Sequence, residues 1–138
     1  MIRVATPAEI SHALDLRRLV FMVEQGISEE EEFDGLDDVA THLLVWSGDI
    51  PVGTARILID GDYGKIGRVA VLKDHRGTGL GKALITAAMD ELRKLPVQTA
   101  KLGAQNHAIG FYETLGFTVS GPEYLDAGIP HHDMTCPL

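Results

Sequence analysis

The segment RGTGLGKAL, Arg76 to Leu84, constrains this chain more than any other stretch. It follows the apolar run KIGRVAVL (Lys65–Leu72), which reads as a strand, and it opens a helical pattern, so glycines 77, 79 and 81 fall at a strand-to-helix turn. Glycine lets the backbone turn with its N–H groups aimed at one spot, and a helix N-terminus adds partial positive charge there. Such a nest binds phosphate, and Arg76 and Lys82 would add full charges. The ATP-type loop needs a glycine five before the Gly-Lys pair and a hydroxyl residue after the lysine; those positions hold Arg76 and Ala83. The dinucleotide fingerprint needs glycine where Lys82 stands. Both patterns fail, and a tight turn with no ligand is the bland alternative for this segment taken alone.

At 138 residues the chain has room for one domain, Met1–Leu138, with a core large enough to need no staples. A 45% hydrophobic and 23% charged composition is that of an ordinary folded protein. The longest apolar run, Leu19–Val23, is far short of the ~20 residues a bilayer requires. No apolar segment follows a basic start, so no signal peptide is expected, and with one cysteine, Cys136, no internal disulfide can form. A cytoplasmic location fits best. The formal charge of −8 disfavours nucleic acid and anionic membrane as partners, while leaving a local basic patch able to hold a small anion.

Around the loop the elements alternate. Ile2–Ala5 reads as a strand, and Thr6-Pro7-Ala8-Glu9 gives a helix start with a capping box and an early proline. That helix is expected to run to about Val23 with Leu16, Leu19, Val20 and Val23 on one face. His42–Ser47, Pro51–Asp60 and Lys65–Leu72 read as three antiparallel strands joined at Gly48-Asp49 and Gly61–Gly64. A helix over Gly77–Leu95 follows, with Leu80, Leu84, Ala87 and Leu95 inward and Pro96 stopping it. Then come a strand over Thr99–Gly103, a helix over Ala108–Leu115 ended by Gly116, a strand over Phe117–Ser120 and a last strand near His132–Thr135. The order predicts an α+β fold: a mixed, mostly antiparallel sheet with flanking helices.

Arg/Gln-x-x-Gly-x-Gly/Ala after a strand resembles the pyrophosphate loop of the GNAT superfamily of coenzyme-A-dependent N-acetyltransferases. NHAIGFYETLGF (Asn106–Phe117) resembles that superfamily's second signature, Asn-x-x-Ala-x-x-Phe-Tyr-x-x-x-Gly-Phe, with the Asn-to-Ala gap one residue short and Gly110 unusual within a helix. Twenty-four residues separate Gly81 from Asn106, about the helix plus strand placed between the two signatures there. VFMVEQGIS (Val20–Ser28), THLLV (Thr41–Val45) and GIPHHDM (Gly128–Met134) resemble the ElaA-like branch. The resemblance implies an acyl-CoA N-acyltransferase fold with splayed central strands, and acetyl-CoA as co-substrate. It also implies transfer of the acetyl group to a primary amine of a small molecule or peptide by direct attack in a ternary complex. Carried over residue by residue, it implies cofactor contacts at Val69, Ala70, Val71, Arg76, Gly77, Thr78, Gly79, Leu80, Gly81, Lys82, Asn106, Phe111 and Tyr112. A non-catalytic acyl-CoA-binding sensor is the competing reading.

Acetyl transfer from a thioester to an amine sets three demands. The thioester oxygen gains charge, so a backbone N–H should face it; the resemblance implies Val69 and Val71. The leaving thiolate needs a proton, and Tyr112 stands where the family carries its general acid. A phenol near pKa 10 protonates a thiolate whose conjugate acid is near 8.5 against a gradient of only about 2 kcal/mol. The amine must be neutral, yet an aliphatic amine is only about one part in 2,500 neutral at pH 7, so a base is expected. No acidic residue lies on Lys65–Leu72. Glu24 ranks first and His42 second as that base, with Asp34 and His131/His132 as further candidates.

A hairpin centred on residue 62 sets Arg56 opposite Arg68, which implies either a carboxylate between the two charges (Glu24, Asp34 or one on the substrate) or two solvent-facing arginines on an exposed face. The acidic run Ser28–Asp38 reads as an exposed loop or short irregular helix, either attracting a cationic acceptor or simply solvated. His131-His132-Asp133 is no metal site, since adjacent strand histidines point to opposite faces and nothing completes a set. Homodimerisation is compatible with such a fold, though no segment demands it.

Overall fold

The computed structural model describes residues 1–138. Its sheet is built outward from two hairpins. Strand β2 (Thr41–Ser47) turns at Gly48-Asp49 into β3 (Ile50–Asp60), which turns at Gly61-Asp62 into β4 (Tyr63–Val71). The second loop holds two residues, not four, because Gly61 takes the left-handed backbone (φ 60°) that a tight hairpin turn requires. Strand β1 (Ile2–Val4) pairs with β2. Beyond β4 the chain crosses over through a helix to β5 (Thr99–Gln105), the one parallel neighbour in the sheet. Strand β8 (Ile129–Pro137) pairs antiparallel with β5 and carries the short β6 (Thr118–Val119) and β7 (Tyr124–Asp126). The order β1-β2-β3-β4-β5-β8-β6 is the mixed, mostly antiparallel sheet of an α+β protein.

Alternation along β2 assigns the two faces. Leu43 and Val45 join the main core under helix α3 (Leu80–Arg93), while Leu44 packs with Ala13 and Leu16 of helix α1 (Ile10–Arg17). Helix α3 buries Leu84, Ile85, Ala88, Met89 and Leu92, the stripe that a 3.6-residue period selects. It starts later than the sequence suggests, because Gly77 and Gly79 both have positive φ and belong to the loop, and Leu95 beyond its end is exposed. The capping box at the first helix is present, with the Glu9 carboxylate accepting the Thr6 N–H at 3.0 Å.

The first helix departs from expectation in its second half. After Arg17 it continues as a π-helix over Arg18–Glu24, and the wider turn rotates side chains out of the α register. Leu16 and Val20 are buried as expected, but Leu19 and Val23 face solvent, and the fully buried side chain of this stretch is Arg17. Two other expectations also give way. The last strand runs from Ile129 to Pro137, and β7 precedes it through a two-residue turn at Ala127-Gly128, both with positive φ. The helix predicted over Ala108–Leu115 is shorter, a 3-10 turn at Asn106–Ala108 followed by α4 (Ile109–Glu113), closed by Gly116 at φ 97°.

Candidate active site

Strands β4 and β5 pair only over Tyr63–Lys65 and Thr99–Lys101, so from Ile66 onward the edge of β4 has no strand beside it. A β-bulge drives the separation. Asp60 to Arg56 pair in register with Tyr63 to Gly67, but Thr54 pairs with Ala70, leaving an extra residue opposite Ala55. That residue is Arg68, whose φ of 49° is a strained conformation for a side chain of its size. Leu72 donates its N–H to Val52 on β3, so by strand alternation the Val71 amide points to the open edge. Helix α4 fills the gap from behind and sets Tyr112 there, edge-on to Phe117 at 6.2 Å and to the half-exposed Phe111 at 5.1 Å.

At the head of the gap lies the glycine loop. None of the six amide N–H groups from Gly77 to Lys82 finds an acceptor within the chain; the first bonded amide is that of Ala83, to Gly79. Six free donors at the start of a fourteen-residue helix form an anion site of the kind the sequence suggests. Arg76 closes the loop by donating Nε–H to the Val71 carbonyl at 2.9 Å and pairing with Glu24 at 2.8 Å.

Below the bulge a cavity of about 310 Å³ opens between the two strands. Val69, Tyr112 and Gly103 line it from the sheet and α4, Phe21 and Gln25 from the end of the first helix, and Tyr124 and His131 from β7 and β8. Burial pushes the Tyr112 phenol above its ordinary value, so it holds its proton at any physiological pH. Its hydroxyl has no partner within the chain.

The two bases ranked first are elsewhere. Glu24 is the partner of Arg76 at the glycine loop, because the π-turn swings the helix end toward that loop. His42 is buried on the α1 face of β2, where its Nε2 donates to the Asp37 carbonyl at 3.0 Å, away from the cavity. Asn106 has both ends of its amide occupied: Nδ2 donates to Glu123 at 2.7 Å and Oδ1 accepts from His132 Nδ1 at 2.8 Å. It ties the start of α4 to β8, with one Nδ2 hydrogen left unbonded.

The arginine pair does meet a carboxylate, in a register other than the one expected. The two-residue turn sets Arg56 opposite Gly67, and the bulge then carries Arg68 onto the same face. Arg56 donates to both Asp34 oxygens at 2.9 and 2.7 Å, and Arg68 reaches Asp34 at 3.4 Å. Arg17, which the sequence analysis passed over, completes the group by pairing with Glu32 and with Asp37 at 2.6 Å. Arg68 Nε lies 3.1 Å from Glu32 Oε2, yet the N–H is not aimed along that contact, so the pair is ionic without a hydrogen bond. Arg56 holds the Asp34 carboxyl well below the usual range despite partial burial; for Asp37 burial opposes ionisation, and hydrogen bonds from Arg17 and Arg56 outweigh it. The short helix α2 (Glu29–Glu32) is what brings Glu32 inward, while Glu29 and Glu30 stay in solvent. The acidic run is therefore divided: half is solvated, and half neutralises three arginines beneath the cavity.

A family model described as an acetyltransferase (GNAT) domain matches residues 18–138. A Bacillus subtilis protein described as the uncharacterized N-acetyltransferase YjcF is 38% identical over 127 residues, covering 91% of each chain. The crystal structure of ElaA from Escherichia coli superposes with a TM-score of 0.85 at 32% identity, over 99% of both chains. An acyl-CoA N-acyltransferase from Pseudomonas aeruginosa superposes with a TM-score of 0.88 at 32% identity, over 99% of this chain and 97% of the other.

Proposed function

This chain belongs to the GNAT acetyltransferase family and performs acetyl-CoA-dependent acetyl transfer, and from that premise we propose how its residues divide the work. The unbonded amides of Gly77–Lys82, with Lys82 beside them, take the pyrophosphate, and the thiol-bearing arm runs down the gap between β4 and β5. The thioester oxygen faces the outward amides of Val69 and Val71, where a fixed donor is worth most because no water competes. Tyr112 protonates the departing thiolate. The acceptor is a primary amine of a small molecule or peptide; it enters through the cavity under the first helix and attacks directly, with both substrates bound. Phe111 covers the cofactor from the side of α4. Catalysis takes place in the cytoplasm.

The single observation that carries this reading is the alignment of six free amides with the end of a strand gap. Any helix leaves its first four amides without a partner, here Gly79 to Lys82; a bare strand-helix turn does not call for two further free amides at Gly77 and Thr78 beside an unpaired strand edge. Titration calorimetry with CoA and acetyl-CoA tests it. The expected result is saturable heat with both, competed by inorganic pyrophosphate; absence of heat with either would overturn it.

A further inference from the structure

We propose that His131 is the general base that takes the proton from the acceptor amine, acting through Nε2; the proposal rests on the functional reading above. The β5–β8 register sets His131 opposite Gln105, on the sheet face away from the core and beside Gly103. Its ring is fixed on two sides. Nδ1–H donates to the Ile129 carbonyl at 2.7 Å, and the ring stacks on Tyr124 at 5.8 Å and 24°. Tyr124 is itself held, donating to Asp133 at 2.8 Å with its hydroxyl over Gly103, where a Cβ would stand 2.4 Å away. A neutral imidazole with its proton on Nδ1 carries its lone pair on Nε2. That atom has no partner in the protein, and His131 lines the cavity that Tyr112 and Val69 also line.

The other ionisable groups around the cavity are ill-suited to the task. On α2, Glu31 accepts from Ser28 and Glu32 is bound by Arg17 and Arg68; on β4, Lys65 and Arg68 are cations. His107, after β5, is tied to Gln105 at 2.7 Å, Tyr112 holds its proton, and burial with the Asp133 hydrogen bond keeps Tyr124 protonated as well. Asp126 on β7 has no partner but is exposed, and an exposed carboxylate is too weak a base for an alkylammonium.

The protons balance as follows. Nε2 takes one from the ammonium and later releases it to solvent. The neutral nitrogen attacks the thioester carbon, the C–S bond breaks, and the sulfur takes the Tyr112 proton. The second nitrogen proton then returns to the tyrosinate, leaving amide and free thiol.

Two measurements test this on the full chain. In the first, acetyl-CoA is offered with a series of primary amines (propylamine, putrescine, glycinamide), and His131→Gln is compared with Asp126→Asn. His131→Gln is expected to lower kcat/KM about 10²-fold and to abolish the acidic limb of its pH profile, with acetyl-CoA affinity unchanged by calorimetry. Asp126→Asn is expected to keep that limb. The reverse pattern, or a limb that survives in His131→Gln, overturns the proposal. In the second, ring nitrogen NMR of histidine-labelled wild-type protein is expected to show His131 as the Nδ1–H tautomer at pH 8, gaining a proton on acidification. An Nε2–H tautomer, or a ring that keeps one state from pH 5 to 9, overturns it even if no amine in the series reacts. Failure of wild-type protein to bind acetyl-CoA would sink the underlying reading and is seen separately in the calorimetry.

Discussion

The proposed cofactor end and the proposed acceptor end of this molecule are built in opposite ways. The cofactor end is local: a strand, a loop and a helix N-terminus contiguous in sequence, whose working groups are backbone amides. The acceptor end is assembled from distant pieces, with Arg17 of α1, Glu32 of α2, Asp34, Asp37 and two arginines of β3 and β4 meeting under the cavity. Backbone amides need only glycine and a helix start, so that site tolerates changes in its other side chains. Buried charges must all be present, since removing one strands its partner. The difference implies that damage at the acceptor end is paid in stability, and damage at the cofactor end in binding and turnover.

The largest effect that could break this contrast is at Arg17. Arg17→Met takes from Glu32, which is 3% exposed, its hydrogen-bonded charge partner and leaves it only the ionic contact with Arg68, so it is expected to cost about 2–4 kcal/mol, a melting point lower by roughly 10 °C. Denaturant melts check it, and the fraction still folded should bind acetyl-CoA normally. A stable Arg17→Met would show the cluster to be dispensable. Next, Tyr112→Phe is expected to reduce kcat by about 10²–10³ with acetyl-CoA affinity within about twofold. Equal loss of both, in steady-state kinetics beside calorimetry, would make Tyr112 a packing residue. Smaller still is Gly79→Ala. No atom lies within 4 Å of the new Cβ, so its effect comes only from φ 85°, about 1–2 kcal/mol of strain. Acetyl-CoA binding about tenfold weaker is expected, because the loop relaxes away from the anion-binding shape.

The same contrast explains what the sequence made legible. Thr6 and Glu9, the three loop glycines and Pro96 act on neighbours a few residues away, and their consequences are readable from spacing. Leu19 and Val23 are not, because a π-turn is a tertiary choice that widens the helix period without a local marker. The Arg56–Arg68 encounter was half legible: the shared carboxylate was anticipated, but the register depended on a two-residue turn and a bulge at a non-glycine residue. Glu24 and His42 have the chemistry of bases and no access to the cavity. Gly128, two residues after the short Tyr124–Asp126 run, was the available signal for the β7 turn that stacks Tyr124 on His131. Arg17 gave no signal beyond a charge on an otherwise apolar face.

Asp34 supplies the smallest and most discriminating comparison, because it sits in the same acidic run as Glu29 and Glu30, which face solvent. Its carboxylate accepts two hydrogen bonds from Arg56, and its folded-state pKa is depressed chiefly by them. A depressed carboxyl stabilises the fold above its unfolded value of about 3.9, and that contribution fades as pH falls toward the folded value. Asp34→Asn is therefore expected to cost about 1–2 kcal/mol at pH 7, discounted from a fully buried pair because the side chain is 29% exposed. The cost should shrink steadily below about pH 4, where the unfolded wild-type chain takes up a proton that the folded carboxylate still excludes. Glu29→Gln and Glu30→Gln should stay within about 0.5 kcal/mol at every pH. Urea melts of the three variants between pH 3 and pH 7 separate the two halves of the run: a pH-independent Asp34→Asn cost would locate the loss in packing, whereas equal effects at all three positions would mean the run acts only through its summed charge.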